Sequence, residues 1–326
     1  MAGTMKEHMK ERFGGGDNRT IYPPLPANLN IELNNTCNQK CEFCFAHGPH
    51  SQSTIKPAVM DFDFACALLK QAAEKGIGRH EVGFYSEGEV FLYRRFPEIV
   101  AYAKELGFQY TFVTSNGALA TPDVLKKVVD AGLDSIRFSV NAADRETYKT
   151  VHGTDDFDQV LENIRWLHQY KTENNIKINT SISAVMTKRT IGDKNKINDV
   201  FGDYVDEILF IPVLTEKNEL RDYDVDITEE FAIYDDKKIQ KKEYKGCPIP
   251  FNTMYIDAEG KVFICCDTYF VPLRVADLHE EMDMEKVWNS DLMVKYRKSL
   301  MDKELDGTYC KNCIQIWGGA ERLQME

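Results

Sequence analysis

The sequence predicts an α/β fold built on a parallel sheet, and three observations carry that prediction. Segments at 29–33, 81–85, 109–114, 135–140, 177–185 and 207–213 read as six strands. Segments with helical spacing and recognisable caps fall between them. Strands that alternate with helices imply parallel βα units, whose functional residues gather at the carboxyl ends of the strands. A barrel and an open doubly wound sheet both satisfy this pattern.

Residues 1–27 are charged, then glycine-rich at 14–16, then proline-rich at Pro23, Pro24 and Pro26, and are expected to form a flexible arm. In the first strand Leu29, Ile31 and Leu33 alternate with Asn30 and Glu32. Asp61 caps a helix carrying Ala65, Leu68, Leu69 and Ala72 that ends at Gly76. Thr121 and Pro122 read as an N-cap followed by proline at the first helical position, with Val124, Leu125 and Val128 after them. Asp156 or Asp158 starts a helix with Val160, Ile164 and Leu167 on one face, and Ile197, Val200, Phe201 and Tyr204 fit another. The α/β core is thus expected at 28–214, and the highly charged stretch 215–245 reads as a linker or surface helix. From 246 to 326 the character changes to a small second domain. Thr253–Asp257 and Lys261–Cys265 flank a turn ending in Gly260, a hairpin signal. Helices around Met284–Trp288 and from Ser290 follow, the latter carrying Leu292, Met293, Tyr296 and Leu300.

The 326 residues suffice for one large α/β barrel or two domains, and 43% apolar with 11% aromatic residues supply a sizeable core. A net charge of −12 argues against a nucleic-acid partner, which needs Lys and Arg against phosphate. No apolar run reaches membrane-spanning length and no signal-peptide core opens the chain, so neither a membrane partner nor export is expected. Nine cysteines in clustered spacing then point to a reducing, cytoplasmic compartment and to metal ligation rather than disulfides.

Cys37, Cys41 and Cys44 lie on the loop that leaves the first strand. Three thiolates that converge on an iron–sulfur cluster, which normally takes four, leave one iron open. A zinc site is the competing reading, and zinc prefers four closed ligands. This Cys-x3-Cys-x2-Cys loop, with Phe43 before its last cysteine, resembles the signature of the radical S-adenosylmethionine (SAM) enzymes. The resemblance implies a partial (β/α)6 TIM-like barrel, a 4Fe–4S cluster whose open iron chelates SAM, and an electron donor such as flavodoxin or ferredoxin. It also implies reductive cleavage of SAM to methionine and a 5′-deoxyadenosyl radical.

Further strand-end segments resemble the family's in order. Gly88 and Glu89 match the middle of a Gly-Gly-Glu-Pro motif that contacts the SAM amino group, with Glu87 in place of its first Gly and Val90 in place of its Pro. Ser115 and Asn116 resemble a turn near the SAM ribose. Ser139 and Asn141, followed by Thr147, Tyr148 and His152, resemble a stretch ending in Arg-Gly, whose arginine pairs with the SAM carboxylate. His152 would be a weaker partner at neutral pH, because a free imidazole titrates near pH 6.5. Ser181 and Ser183 on the fifth strand share one face, and the resemblance adds Ser183 to the cofactor site. His47 and His50 read as bystanders beside the loop, and Cys66 as a buried, inert thiol.

Cys247, Cys265, Cys310 and Cys313 resemble the ligand set of the SPASM/twitch extension, which implies a second, auxiliary 4Fe–4S cluster. Their separations are similar to those of a twitch aminocyclitol dehydrogenase. Cys266 is surplus to that set and is a candidate hydrogen-atom donor. Together these resemblances imply oxidation of a sugar or aminocyclitol-type small molecule. Radical epimerisation through Cys266, maturation of a ribosomal peptide, and a non-catalytic zinc-binding or degenerate member are the alternatives.

Overall fold

The computed structural model describes residues 19–49, 51, 56–212, 244, 246–265, 273–306 and 308–312. The elements run β1 (Asn28–Ile31), α1 (Phe62–Lys75), β2 (Glu81–Phe84), α2 (Phe96–Glu105), β3 (Thr111–Ser115), α3 (Pro122–Asp130), β4 (Ser135–Ser139), α4 (Arg145–His152), α5 (Phe157–Glu173), β5 (Asn179–Met186), α6 (Lys194–Phe201) and β6 (Glu207–Pro212). After them come α7 (Ile249–Asn252), β7 (Thr253–Ile256), β8 (Lys261–Phe263), β9 (Arg274–Asp277), α8 (Met284–Trp288) and α9 (Asp291–Asp302).

The described strands form one nine-stranded sheet in the order β6-β5-β4-β3-β2-β1-β7-β8-β9. From β6 to β7 every pairing is parallel, and β8 and β9 are antiparallel. The six expected strands are present, each within a few residues of its expected bounds. The hairpin at Gly260 is present too, but its first strand pairs with β1 from Asn28↔Thr253 to Ile31↔Ile256. The C-terminal segment therefore extends the sheet of the core.

One face of the sheet is apolar. Leu29, Ile31, Val82, Phe84, Val113, Ile136, Phe138, Ile182, Met254 and Ile256 are all buried in one core cluster with the helices. Because strand side chains alternate, the other face carries Asn28, Asn30, Ser135, Arg137, Ser139, Ser181, Ser183 and Thr253, a polar interior.

The helix boundaries follow local chemistry. Asp61 caps α1 by accepting from the Phe64 N–H, and Gly76 ends it at φ 70°. The sequence reading passed over α2, α4 and β9. In α2, Phe96, Ile99, Val100 and Ala103 are buried at helical spacing behind Pro97. In α4 the core takes only Tyr148, Val151 and His152, so the apolar signal is thin. The edge strand β9 is largely half-buried and lacks alternation.

Part of the expected flexible arm is held down. The Trp288 indole donates to Pro24 O (3.1 Å), the Arg297 guanidinium to Ile21 O (3.3 Å), and the Gly78 N–H to Pro26 O (3.0 Å). Among the described residues no helix is long and apolar enough to cross a membrane.

Candidate functional site

The loop after β1 is anchored before its first cysteine. Asn34 is buried; its amide oxygen accepts from Thr36 N–H (2.9 Å), and its amide nitrogen donates to Glu89 O (2.9 Å). The Asn35 amide does the same for the segment before α1, donating to Lys56 O (3.0 Å) and accepting from Ala58 N–H (2.7 Å). The cysteine stretch then rests on the end of α4: Lys40 N–H donates to His152 O (3.1 Å) and Glu42 N–H to Val151 O (2.8 Å). These are carbonyls that a helix C-terminus leaves without internal partners. At Gly153 (φ 70°) a Cβ would stand 2.7 Å from Lys40 O, so the close approach requires glycine.

Burial pushes all three thiols up, Cys37 to about 11, and Cys41 and Cys44 upward as well. Cys41 feels the charge of both Cys44 and Cys37, which places the three sulfurs in one electrostatic neighbourhood. Donors surround them. Cys37 Sγ accepts from Gln39 N–H (3.4 Å) and Asn116 Nδ2 (3.8 Å), and Cys44 Sγ from His47 N–H (3.4 Å). Buried thiolates need compensating positive charge, and bound iron supplies it by displacing the thiol protons. Among the described residues no three Cys, His, Asp or Glu side chains are arranged around one metal ion. Three thiols leave one position open, which suits a cluster with one open iron better than zinc, which prefers four closed ligands.

The loop after β2 packs on this one at backbone distance. A Cβ at Gly88 would stand 2.0 Å from Asn34 O, and the Glu89 N–H donates to Thr36 O (2.8 Å). The buried Glu89 carboxylate is turned inward. It accepts from Ser115 Oγ (2.8 Å), Asn116 N–H (2.8 Å) and Phe91 N–H (3.1 Å). Burial raises its pKa, and the three donors oppose that rise. Glu89 therefore binds the ends of β2 and β3 together, with one lone pair of Oε2 left for another donor. The Asn116 amide bridges onward to Asn38 Oδ1 (2.8 Å).

Ser139 and Ser183 face each other across β4 and β5 at the carboxyl end of the sheet. Asn141 is buried one step further; its amide oxygen accepts from Val185 N–H (2.7 Å) and its N–H donates to His152 Nε2 (3.2 Å). His152 differs from the expectation of a partner for the SAM carboxylate. It is fully buried, its pKa driven down to about 3 by desolvation, and its ring lies between Asn141 and the cysteine loop. Phe43 and His47 are half-buried on the cysteine loop, and His50 lies outside the described residues.

Cys247 and Cys310 pack in one small cluster with Phe251, Leu300, Leu305 and Tyr244. Burial raises Cys310 to about 11. Cys265 follows β8, half-buried, and Cys266 and Cys313 lie outside the described residues.

Sequence reasoning missed two contributors, Glu32 and Gln39. Alternation marks Glu32 only as lying on the face opposite Leu29, Ile31 and Leu33, and that face lines the interior. Its carboxylate accepts from Glu87 N–H (2.7 Å), Gly88 N–H (3.3 Å) and Ala258 N–H (3.3 Å), and burial raises its pKa to about 7. Gln39 is buried beneath the loop and joins Tyr148 to His152.

Comparison with known proteins bears on this arrangement. Residues 31–198 match the family model of the radical SAM superfamily, and residues 247–314 match that of the SPASM iron–sulfur cluster-binding domain. A probable GTP 3′,8-cyclase of Saccharolobus islandicus is 36% identical over 137 residues, 42% of this chain and 42% of that protein. A second, from Sulfurisphaera tokodaii, is 29% identical over 64% of this chain and 61% of its own length. The matches thus span less than two thirds of these relatives. Among solved structures, BtrN in complex with AdoMet and 2-DOIA superposes with a TM-score of 0.57 at 16% identity, covering 89% of this chain and 93% of that one. Native anSMEcpe with bound AdoMet gives a TM-score of 0.62 at 16% identity, covering 90% and 89%.

Proposed function

Since the chain belongs to the radical SAM superfamily and carries a SPASM-type domain, with SAM and two 4Fe–4S clusters as its cofactors, we propose that it oxidises a polar small molecule by removing one hydrogen from a C–H bond and one from the hydroxyl or amine on the same carbon. The observation that carries this reading is the second set of cysteines, Cys247, Cys265, Cys310 and Cys313, which can hold a cluster with no iron left open. When bound, the first cluster and SAM supply a 5′-deoxyadenosyl radical that takes one hydrogen atom, and the auxiliary cluster supplies an acceptor for one electron. The substrate loses a proton with that electron, so its carbinol or amine carbon becomes a carbonyl or imine.

The chain's own residues bind, orient and enclose. Cys37, Cys41 and Cys44 hold the SAM-binding cluster; Gly88 lets the next loop approach it; Glu89 offers its remaining lone pair to the SAM ammonium. Asn116 stands beside Cys37 and Asn38, within reach of a ribose hydroxyl. The polar interior face, with Asn30, Ser139, Ser181 and Ser183, suits a substrate rich in hydroxyl or amino groups. BtrN, with AdoMet and 2-DOIA, is a structural neighbour over most of this chain.

The test is product mass. Candidate polyols and aminocyclitols, deuterated at carbon, are incubated with the reconstituted protein, SAM and reductant. Deuterium in 5′-deoxyadenosine and a product three mass units lighter than the labelled substrate, one deuterium and one hydrogen lost, are expected, in wild type and in Cys266→Ser alike. A product of unchanged mass that gains one deuterium from heavy water, lost in Cys266→Ser, overturns oxidation in favour of epimerisation.

A further inference from the structure

Beneath the cysteine loop lies a buried polar chain that the SAM site does not account for. His152 sits at the end of α4, four residues after Tyr148, and their rings stack at 3.9 Å between centroids with 10° between planes. The Tyr148 hydroxyl accepts from Gln39 Nε2 (2.8 Å). The Gln39 Oε1 faces His152 Nδ1 at 2.9 Å, and the Cys41 Sγ faces the same nitrogen at 3.6 Å.

The direction of each bond follows from one fixed donor. The Asn141 backbone N–H points at His152 Nε2 (3.2 Å) and can only donate. Nε2 is therefore the acceptor, and a neutral ring carries its proton on Nδ1. That N–H has two acceptors in range, the Gln39 carbonyl and the Cys41 sulfur. The Gln39 amide is then oriented with its nitrogen toward Tyr148, as observed. Nothing in the chain of bonds is left facing donor to donor.

We propose that His152, held in this tautomer by Asn141 and stacked on Tyr148, is a positioning residue that donates the Nδ1 hydrogen bond to the Cys41 thiolate and raises the reduction potential of the SAM-binding cluster. Metal ligation converts Cys41 from thiol to thiolate. An ionised acceptor strengthens the N–H···S bond against the competing neutral amide of Gln39. Reduction adds negative charge to the cluster, so a donor on a ligand sulfur favours the reduced state; hydrogen bonds to the sulfurs are among the determinants of cluster potential. The other two cysteines accept from the loop backbone and from Asn116, whereas Cys41 receives this bond from a helix of a different βα unit. The inference concerns the cluster alone and does not depend on which substrate is oxidised.

The experiment is a redox titration of the fully reconstituted chain, followed by electron paramagnetic resonance. The SAM-binding cluster is identified as the signal that changes when SAM is added. His152→Leu removes the donor, and His152→Asn keeps an N–H near the position of Nδ1. In His152→Leu the reduced-to-oxidised ratio at a fixed potential should fall about tenfold, a shift of about 59 mV for one electron. His152→Asn should recover most of that shift, and the auxiliary signal should not move in either. In wild-type protein grown with ring-15N histidine, pulsed resonance of the reduced SAM-responsive cluster should show a weakly coupled nitrogen that His152→Asn lacks. An unchanged midpoint in His152→Leu, an equal drop in both variants, or no ring-nitrogen coupling in wild type overturns the proposal. If His152→Leu does not load iron, the coupling and the His152→Asn midpoint decide. Absence of any SAM-responsive signal in wild type would instead be a failure of the family reading itself.

Discussion

Glu89→Gln separates two roles that the geometry gives to one carboxylate. Among the described residues every partner of the Glu89 carboxylate is a donor: Ser115 Oγ, Asn116 N–H and Phe91 N–H. Glutamine has the same shape but replaces one oxygen with NH2. Placed at Oε2, the amide nitrogen meets the Asn116 N–H; placed at Oε1, it meets the Phe91 N–H. Either way one buried backbone donor loses a charge-assisted bond, which costs about 1.5–3 kcal/mol. The Ser115 hydroxyl cannot absorb the change freely, because it already accepts from Gly117 N–H (2.9 Å). Urea unfolding of the metal-free chain should therefore show a loss of about 2 kcal/mol. A loss within ~0.5 kcal/mol, the range of surface substitutions, refutes the inward role. Equilibrium titration with SAM then tests the outward one. If Oε2 also receives the SAM ammonium, affinity of the folded, cluster-loaded variant falls about tenfold or more, the equivalent of one such bond. Lost stability with unchanged affinity would leave Glu89 as a brace between the ends of β2 and β3.

Three further outcomes follow from particular atoms. Gly88→Ala drives a Cβ to 2.0 Å from Asn34 O, a backbone atom that cannot move without breaking the Glu89 N–H bond to Thr36 O; a loss of about 1–3 kcal/mol and reduced iron loading are expected, and full iron content with wild-type stability would show that the loops can separate. Glu32 has its folded pKa raised to about 7, so it binds its proton more tightly folded than unfolded; its contribution to stability is fully present below about pH 4.5 and is lost as pH rises to about 7. Glu32→Gln should flatten that decline in stability between pH 5 and pH 8, and an unaltered pH profile would mean the group titrates normally. Iron analysis of reconstituted protein should find about eight irons per chain, and about four in the Cys37, Cys41, Cys44 triple alanine variant, which should no longer cleave SAM.

The parts of the fold that were legible were those whose signals are local. Asp61 and Gly76 bracket α1, and Thr121 with Pro122 opens α3, because a cap and the helix it ends are a few residues apart. The edge strand β9 has no such punctuation and acquires its identity only by pairing with β8. The site divides in the same way. The three loop cysteines stand within eight residues and announce themselves. Glu32 meets Glu87 across 55 residues, and Gln39 meets His152 across 113, so nothing near either residue hints at a partner. The surroundings of Asn30 and Glu32 were not legible for a physical reason: alternation shows that a strand has two different faces, but a polar barrel interior looks the same in sequence as solvent. His152 matched a motif position by its place in the chain, yet the ring is drawn under the loop by stacking on Tyr148, a contact within α4 that the motif does not encode.

The topology also bears on what the second set of cysteines can do. The first cysteine loop leaves the carboxyl end of β1, where Glu89 and Asn116 from the loops after β2 and β3 meet. β7 runs parallel to β1 in register, so Cys247, just before α7 and β7, enters at the amino end of the sheet. β8 runs back antiparallel to β7, which returns Cys265 toward that same amino end. Tyr244 feels the charge of both Cys247 and Cys310, which brings Cys310 there as well. Cys247 and Cys265 are thus separated along the strands from the first cysteine loop by at least about 10 Å, the rise of a four-residue strand at ~3.3 Å per residue. A backbone ladder fixes that spacing. A metal that bound substrate directly would have to stand at the carboxyl end, beside the reacting carbon; an electron acceptor need not. Adding a processed substrate should therefore leave the spectrum of the oxidised auxiliary cluster unchanged while it perturbs the SAM-responsive one. A substrate-induced shift at the auxiliary cluster, lost on removing the substrate's hydroxyl or amino group, would refute the acceptor role.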